Sequence, residues 1–433
     1  MIRRVQGKES IVTIDIVKPE NLGISSKRLE RLTTWLNEQV SSERVAGASV
    51  LLSRFGQTAF FKTAGYADAE SQKPFEKDTI VRIFSMTKPV TTVAAMMLFE
   101  EGCFQLDDPV SLYIPGFADM PVWRGGEIDD VEPQQQPVTI RHVMTHTSGL
   151  TYGFMRTNPV DAKYRELGLE FTNHDETLAD WTDRLVQTPL ICQPGTQWNY
   201  SVSSDVLGRL VEIWSGQTLA EFFDKRIFKP LGMVDTGFFV REENHDRFSS
   251  LYVPPTGGSL AGVGSAATGV PKPTGIHRQE AFDDSRYLKP TNIFSGGGGL
   301  TSTMADYANF CQALLGGGEL KGERILGCKT IEFMRLNQLP DGKDMAAMGQ
   351  PVWSETSYDG IGFGLGWAVV LDPVKAHAIT SAGEHHWGGA ASTFFWIDPD
   401  EDLFVVFLTQ LMPSSTYPIR RELRQRVYQS LVE

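Results

Sequence analysis

Apolar and polar positions near the start of the chain follow first a helical and then a strand-like pattern. The segment SKRLERLTTWLNEQV (26–40) places its leucines three and four residues apart, which predicts an amphipathic helix. The next two segments, GASVLLSRFG (47–56) and TAFFKTAGYAD (58–68), are rich in apolar and aromatic residues. Because Phe55, Gly56 and Gln57 form a short connection between the two apolar runs, we predict that they form a β-hairpin.

The last third of the chain repeats the strand character and closes with a helix. Three apolar runs of strand length lie between turn-forming residues: GFGLGWAVVLD (362–372), ASTFFWIDP (391–399) and DLFVVFLTQL (402–411). The terminal segment YPIRRELRQRVYQSLVE (417–433) then shows helical periodicity. We therefore predict that strands from both ends of the chain contribute to the fold.

The middle of the chain is mainly helical in pattern and is interrupted by long polar segments. These segments are rich in proline and glycine and cover residues 122–137, 253–275 and 339–355. Loops of this length are typical of the walls or lids of functional sites, and surface insertions are an equally common explanation. No internal repeat is visible, so we expect an irregular single-copy architecture.

The simplest architecture that accommodates these elements is an α+β fold. A central antiparallel sheet is built from both termini and flanked by helices, and an inserted helical region covers one side. We predict a sheet domain formed by residues 1–85 together with 295–433 and a helical domain formed by residues 86–294. The cleft between the two is the expected place for an active site.

Composition and charge restrict the partners of the protein. The chain has 433 residues, of which 41% are hydrophobic and 21% charged, which is ordinary for a globular protein with a sizeable core. A net charge of −13 repels phosphate backbones and anionic lipids, so we expect neither nucleic acid nor a membrane as a partner. No apolar run approaches the roughly 20 residues that span a bilayer, and the N-terminal segment lacks the apolar core of a secretory signal. We expect a soluble, cytoplasmic protein whose oligomeric state the sequence leaves open.

Cysteine and histidine patterns give little support to metal or disulfide chemistry. The cysteines lack CxxC spacing, and we expect reduced, buried thiols at Cys103, Cys192, Cys311 and Cys328. None of the eight histidines forms a helical His-x-x-x-His pair with a glutamate between its members. We therefore expect no metal and no cofactor.

Candidate chemistry centres on TIVRIFSMTKPVTTVAAMMLF (79–99), where Ser85 and Lys88 precede a strongly apolar run. Residues three apart on a helix lie on one side, with about 5–6 Å between their Cβ atoms, so the amine can reach the hydroxyl. A lysine in the first turn of a buried helix is partly desolvated, which favours the neutral amine that a base requires. Chance produces this spacing about once in a chain of this length, so the pair by itself does not identify a nucleophile.

Other segments give the pair a context. They are IRHVMTHTSGLTYGF (140–154), PGTQWNYSVSSDVLG (194–208), SGGGGLTSTMADYANF (295–310) and HHWGGAASTFFWIDP (385–399). In this order, and with SMTK ahead of them, they resemble the serine β-lactamase and penicillin-binding-protein superfamily over roughly residues 20 to 430. Within that superfamily, SMTK, the tyrosine in YSVSSDVLG and WGGA most resemble the family VIII carboxylesterases, whose members hydrolyse esters. The resemblance implies a β-lactamase-like fold.

The resemblance also implies roles for three residues. Ser85 corresponds to the nucleophile, Lys88 to its base partner, and Tyr200 to the tyrosine that passes a proton between nucleophile and leaving group. A literal Tyr-x-Asn sequence occurs elsewhere, beginning at Tyr307. We interpret Tyr307 as a packed residue of an amphipathic helix, because Tyr200 follows a Pro-Gly turn and opens a helix.

Two departures from the superfamily's motifs bear on the substrate. Trp387 stands where the third motif carries a lysine or histidine, and Val202 stands where the second carries an asparagine. Loss of the lysine removes a charge-assisted hydrogen bond worth roughly 1.5–3 kcal/mol, and Trp387 offers an apolar wall instead. Both changes favour uncharged ester substrates.

The rest of the third motif supplies backbone rather than side chains. Gly388 and Gly389 allow close approach of the main chain. The resemblance implies that the N–H groups of Ser85 and Ala390 form an oxyanion hole, and that Tyr152 lines the substrate pocket with Trp387 and the two glycines. An oxyanion-hole donor is worth about 2.7–4 kcal/mol in the transition state.

The expected activity is hydrolysis of carboxylic esters with short to medium acyl chains through a serine acyl-enzyme, with weak β-lactam hydrolysis as a side activity. The alternatives are an acyltransferase that passes the acyl group to an alcohol, and a β-lactamase or D-alanyl-D-alanine carboxypeptidase, which Trp387 and Val202 disfavour. A catalytically inactive binding module is a further alternative. The presence of Ser85, Lys88 and Tyr200 argues against this last class.

Overall fold

The chain forms one large antiparallel sheet with strands from both of its ends. In the computed structural model, residues 14–171, 173–258, 275–349 and 358–433 are described. The strands of the sheet are β1 (Gly47–Arg54), β2 (Gln57–Asp68), β3 (Lys73–Pro74), β4 (Ile361–Phe363), β5 (Ala368–Val370), β6 (His385–Gly388), β7 (Phe394–Asp398) and β8 (Leu403–Thr409). Their order in space is β4-β5-β6-β7-β8-β1-β2-β3, so β8 and β1 join the two ends of the chain.

Helices cover both faces of this sheet. The described α-helices are α1 (Ser26–Ser41), α2 (Thr87–Glu100), α3 (Ile140–Met144), α4 (Pro159–Glu166), α5 (Leu178–Leu185), α6 (Ser203–Ser215), α7 (Leu219–Phe223), α8 (Lys229–Leu231), α9 (Met304–Leu315), α10 (Cys328–Met334), α11 (Met345–Met348) and α12 (Ile419–Tyr428). Every residue of β1 is buried, and its side chains alternate between two cores. Val50 and Leu52 pack in the core that contains α1 and α12, whereas Leu51 packs in the larger core that contains α2, α6 and α9.

Several predicted elements are confirmed. The first helix is α1, and the predicted hairpin is β1 and β2, in which Arg54 pairs with Gln57. The turn uses Phe55 and Gly56, both with positive φ. The combination of a large antiparallel sheet with flanking helices is the α+β class that the sequence predicts.

The prediction of one strand over residues 362–372 is wrong. The structure has a short hairpin there, β4 and β5, because Gly366 adopts φ 90° and the N–H of Gly364 donates to the Trp367 carbonyl. The last helix also ends earlier than predicted, at Tyr428. Apolar periodicity does not show the turn at Gly366, since the residues on both sides of it are buried.

The long polar segments are partly structured. Val122–Trp123 pairs with Val131–Glu132 inside the first of them, and the short helix α11 lies inside the third. Residues 259–274 and 350–357, which carry much of the second and third, lie outside the described residues. The boundaries of the predicted domains stay a prediction.

The cysteines are unpaired, and three of the four are buried or half-buried. Cys328, at the start of α10, is exposed, so the expectation of a buried thiol is wrong there. Across the described ranges, no helix has the length and apolarity to cross a membrane.

Candidate active site

Ser85 lies on a sharp corner between a short strand and a buried helix. The strand Val81–Arg82 pairs with Thr301–Ser302, and the 3-10 turn Phe84–Met86 leads directly into α2. Phe84 has φ 43°, a left-handed conformation that a residue other than glycine seldom adopts. The corner places Ser85, half-buried, in the wall of a pocket. Strained backbone conformations are common at functional sites.

Lys88 is in the first turn of α2 and is almost fully buried, at 1% exposure. Its Nζ atom lies 3.4 Å from the Ser85 Oγ, 2.9 Å from the Tyr152 hydroxyl and 2.7 Å from the Gly297 carbonyl oxygen. These contacts occupy the side chain on all sides of its nitrogen. The structure thus brings the sequence-predicted serine and lysine within reach of each other.

Tyr200 contacts the same serine through its hydroxyl. Its hydroxyl donates to the Ser85 Oγ at 2.7 Å, and its ring lies 4.6 Å from the Lys88 Nζ. Aromatic rings surround it, with centroids 5.0 Å away for His146, 5.4 Å for Tyr152 and 5.5 Å for Trp387. Such packing holds the phenol in one orientation.

Tyr307 lies elsewhere, in the interior of α9, as predicted. It is fully buried, and its hydroxyl donates to the carbonyl of Met86 at 3.0 Å. The literal Tyr-x-Asn sequence is therefore part of the core.

Burial keeps two neighbours of Lys88 uncharged. Burial raises the pKa of Tyr152 well above its ordinary value, and Tyr200 and Asp205 add to the shift. Burial, with a further contribution from Lys88, lowers the pKa of His146 well below its ordinary value. The protonated phenol of Tyr152 can therefore accept from or donate to the lysine nitrogen without carrying charge.

The third predicted motif approaches Ser85 through its backbone. A Cβ atom on Gly389 would overlap the Ile83 carbonyl oxygen and the Thr393 hydroxyl, so only glycine fits where the chain leaves β6. Ala390 follows directly, and it lines the same pocket as Ser85 and Tyr200. This arrangement suits the expected oxyanion hole, whose donors would belong to Ser85 and Ala390.

Trp387 and Gly388 line an adjoining pocket, which also includes Tyr200 and Ala390. Trp387 is 7% exposed and packs edge to face on Phe363, with centroids 5.4 Å apart. This is the apolar wall that the sequence predicts.

Three arginines of α12 line the far side of this adjoining pocket, and sequence reasoning missed them: Arg420, Arg421 and Arg424. Arg424 pairs with the buried Glu384, and a Cβ on Gly388 would overlap the Arg420 guanidinium. Positive charge next to Trp387 would favour a negatively charged group in the substrate, which is contrary to the expectation of uncharged substrates. The helical pattern of 417–433 contains these arginines but does not show which face meets the pocket.

Sequence reasoning also missed the parts that hold Lys88. Gly297 is in SGGGGL, and Asp205 is five positions after Tyr200 in YSVSSD. Asp205 is fully buried, and its carboxylate accepts hydrogen bonds from Ser295 at 2.6 Å and from the Gly297 N–H at 2.8 Å. The only signal in the sequence was the position of Asp205 close after Tyr200, in the same motif.

The described part of the chain contains no cluster of three histidine, cysteine or carboxylate side chains placed to hold a metal ion. The chemistry that the pocket can perform rests on the serine, the lysine and the tyrosine. A hydroxyl contacted by an amine and a phenol, beside a wall of backbone amides, is suited to nucleophilic acyl transfer.

Several known proteins are similar to this chain in sequence or in fold. The sequence profile of the family described as Beta-lactamase matches residues 32–429. Protein Rv1367c of Mycobacterium tuberculosis is 34% identical over 355 residues, covering 81% of this chain and 82% of that protein. Esterase EstB of Burkholderia gladioli is 31% identical over 402 residues, covering 92% of this chain and 94% of that protein. The solved structure of EstCE1, a hydrolase with promiscuous acyltransferase activity, matches with a TM-score of 0.75 and 28% identity, covering 93% of this chain and 99% of its own.

Proposed function

This chain belongs to the β-lactamase family, and we propose that it is a carboxylesterase that works through a Ser85 acyl-enzyme. It has the β-lactamase-like fold, and it resembles the esterase EstB over most of its length. The proposal rests on one observation, which is that Lys88 and Tyr200 both contact the Ser85 Oγ. The motifs SMTK and WGGA favour the family VIII branch.

The proposed reaction has two acyl-transfer steps. Lys88 accepts the proton of the Ser85 hydroxyl, and the oxygen attacks the ester carbonyl. The N–H groups of Ser85 and Ala390 stabilise the tetrahedral oxyanion. The C–O bond to the alcohol then breaks as Tyr200 gives its hydroxyl proton to the leaving oxygen and takes the proton held by Lys88. A water molecule later hydrolyses the acyl-enzyme by the same route in reverse.

A covalent label tests the nucleophile directly. Incubation with a fluorophosphonate followed by peptide mass spectrometry is expected to give one adduct, on the peptide that contains Ser85. Absence of any adduct from a folded sample would contradict the proposal and favour a binding module.

Transfer to an alcohol is a second candidate function. EstCE1 is described as a hydrolase with promiscuous acyltransferase activity, and the adjoining pocket beside Tyr200 and Ala390 offers room for an acceptor. Product analysis with p-nitrophenyl butyrate and an added primary alcohol separates the two, because transfer gives a new ester at the expense of butyrate. For a hydrolase we expect butyrate as the main product.

Substrate class is tested with a short series of esters. We expect p-nitrophenyl acetate to hexanoate to be hydrolysed and longer acyl chains to react more slowly. A monoester of a dicarboxylic acid in the same series measures the effect of Arg420 and Arg421. A higher kcat/KM for that monoester than for its neutral analogue would contradict the expectation of uncharged substrates.

A further inference from the structure

A buried carboxylate stands behind Lys88 and has no part in the steps above. Asp205, in the first turn of α6, is fully buried and lines the pocket that contains Ser85. Burying a carboxylate costs free energy unless hydrogen bonds or an opposite charge compensate it. The groups around Asp205 therefore show how the cost of its burial is compensated.

The contacts of Asp205 lead directly to the lysine. One carboxylate oxygen accepts from the Ser295 hydroxyl and from the Gly297 N–H, at 2.6 and 2.8 Å. The carbonyl of Gly297 in turn accepts from the Lys88 Nζ at 2.7 Å. The two backbone groups of one glycine thus connect the carboxylate to the amine.

Close packing fixes this connection. A Cβ on Gly297 would overlap the Asp205 carboxylate, and a Cβ on Gly296 would lie 2.6 Å from the Ser204 carbonyl oxygen. The glycine segment therefore lies flat against the start of α6, at a distance that no other residue type allows. Asp205 holds the N–H of Gly297 and so anchors the residue whose carbonyl accepts from Lys88.

The electrostatics of the pair agree with this geometry. Burial raises the pKa of Asp205, and Lys88 together with the hydrogen bonds from Ser295 and Gly297 opposes the shift. In a site shielded from water, opposite charges interact more strongly than at the surface. A negative Asp205 and a protonated Lys88 therefore stabilise each other.

We propose that Asp205 is a positioning residue for acyl transfer. It fixes the Gly297 carbonyl against Lys88, and its negative charge balances the ammonium that forms when the lysine accepts the Ser85 proton. The inference rests on the proposed function, because it concerns the base of that reaction.

Other titratable groups also face Lys88. Tyr152 and Tyr200 contact it through a hydroxyl and a ring, and burial keeps His146 neutral beside them. Asp205 is the buried carboxyl group among these neighbours, and Lys88 opposes the rise of its pKa on burial.

Two charged groups line the mouth of the pocket, Glu170 and Arg286. Both side chains are exposed, so solvent screens their effect on Lys88. Substitutions at Asp205 leave both of these side chains in place.

The isosteric variant Asp205→Asn removes the charge and keeps an oxygen that can accept the same two hydrogen bonds. Without the anion, the ammonium that forms when Lys88 accepts the Ser85 proton loses its counter-charge. We expect the acidic limb of the kcat/KM profile for p-nitrophenyl butyrate to move to lower pH. The rate at the plateau falls by about tenfold, because proton transfer to Lys88 is less favourable.

The variant Asp205→Ala removes the hydrogen bonds as well, and releases the Gly297 carbonyl. We expect the same shift of the acidic limb and a larger loss at the plateau, about 10²-fold, because the base is misplaced. Asp398→Asn is the matched control, since Asp398 is also buried but lies at the end of β7 and bonds to Tyr428. It should leave the pH profile unchanged.

A uniform loss of rate in Asp205→Asn, with an unshifted acidic limb and an intact thermal unfolding transition, would overturn the proposal and leave Asp205 a structural residue. Failure of the proposed function looks different. In that case, the Ser85→Ala variant would hydrolyse the ester as fast as the parent, and no profile would report on Lys88.

Discussion

The Ser85 hydroxyl oxygen receives two contacts of different chemistry. Tyr200 donates a short hydrogen bond at 2.7 Å, whereas the Lys88 nitrogen is 3.4 Å away. The tyrosine therefore orients the oxygen in the resting state, and the lysine must approach to take the proton. Catalytic contacts that are long in a free enzyme commonly shorten when substrate binds.

Replacement of Tyr200 by phenylalanine tests this division of roles. The Tyr200→Phe variant keeps the ring in its aromatic surroundings and loses only the hydroxyl that contacts Ser85. We expect kcat to fall by about 10²- to 10⁴-fold with little change in KM, because a proton-transfer group is lost. Steady-state kinetics with p-nitrophenyl butyrate measure both constants.

Tyr307→Phe is the matched control for that variant. The hydroxyl of Tyr307 donates to the Met86 carbonyl in the core, so its loss should lower the free energy of unfolding by about 1 kcal/mol and leave kcat nearly unchanged. Equal effects of the two variants on kcat would mean that Tyr200 is only another packed tyrosine.

The serine, the lysine and the tyrosine could be predicted because each belongs to a short motif of the superfamily that the sequence resembles. The motifs did not predict that Gly297 and Asp205 hold the lysine, because those contacts join residues about 90 to 210 positions apart. Contacts of that range depend on how the elements pack, and a single sequence carries little signal for them.

Among the elements, β6 and the turn that follows it determine how close the third motif comes to Ser85. Gly389 leaves β6 in contact with the Ile83 carbonyl, two residues before the nucleophile. The close approach of two backbones at this point ties the end of β6 to the turn that leads into α2. A pattern of apolar residues does not reveal such an approach, although paired glycines indicate it.

The Gly389→Ala variant tests the close approach of the end of β6 to the backbone at Ile83. Its Cβ overlaps the Ile83 and Thr393 oxygens, so the backbone carrying Ala390 must shift. We expect kcat to fall by about 10²-fold, since a displaced oxyanion donor loses most of its effect. Gly237→Ala is the control, because its Cβ would lie 3.4 Å from the nearest atom, the Phe239 carbonyl oxygen, and near-parent kcat is expected there. Parent-like activity of Gly389→Ala would remove the basis for the Ala390 donor.

Helix α9 carries a buried carboxyl group whose protonation affects stability. Burial raises the pKa of Asp306 to about 7, although Thr236 and the Asp235 N–H donate to it. Its pKa in the unfolded chain is lower, so the folded state binds the proton more tightly. The stability that this group contributes is present at low pH and is lost as the pH rises towards 7.

The Asp306→Asn variant removes this dependence. Between about pH 5 and pH 8 the free energy of unfolding of the parent should fall relative to that of the variant, by up to about 3 kcal/mol. Urea unfolding of both proteins at the two pH values measures the difference. A constant difference across this range would show that Asp306 is ionised throughout.

In the whole molecule, the two terminal regions of the chain meet in the sheet and in the helical layer. In the sheet, Ala48 to Arg54 of β1 pair with β8, and in the helical layer α1 lies beside α12. Glu422 on α12 accepts from the Trp35 indole at 2.8 Å and pairs with Arg44 at 3.0 Å. Strands in both terminal regions predicted the first meeting, but the helix pairing depended on which face of each helix was buried.

The Glu422→Ala variant tests the junction between the ends. It leaves the buried Trp35 indole without its acceptor, and we expect the free energy of unfolding to fall by about 1–3 kcal/mol with kcat unchanged. Glu332→Ala, in the exposed pair with Lys329, should change stability by less than about 0.5 kcal/mol. Equal small effects from both variants would indicate that the ends are held by apolar packing alone.

The central claim is that Ser85 is the nucleophile of an ester hydrolase. The most direct test is the hydrolysis of p-nitrophenyl butyrate by the purified protein and by its Ser85→Ala variant, with circular dichroism to show that both are folded. We expect the variant to lose at least about 10³-fold in kcat/KM, because the acyl-enzyme cannot form. Equal rates in two folded proteins would contradict the account, and SMTK would then be only the start of a helix.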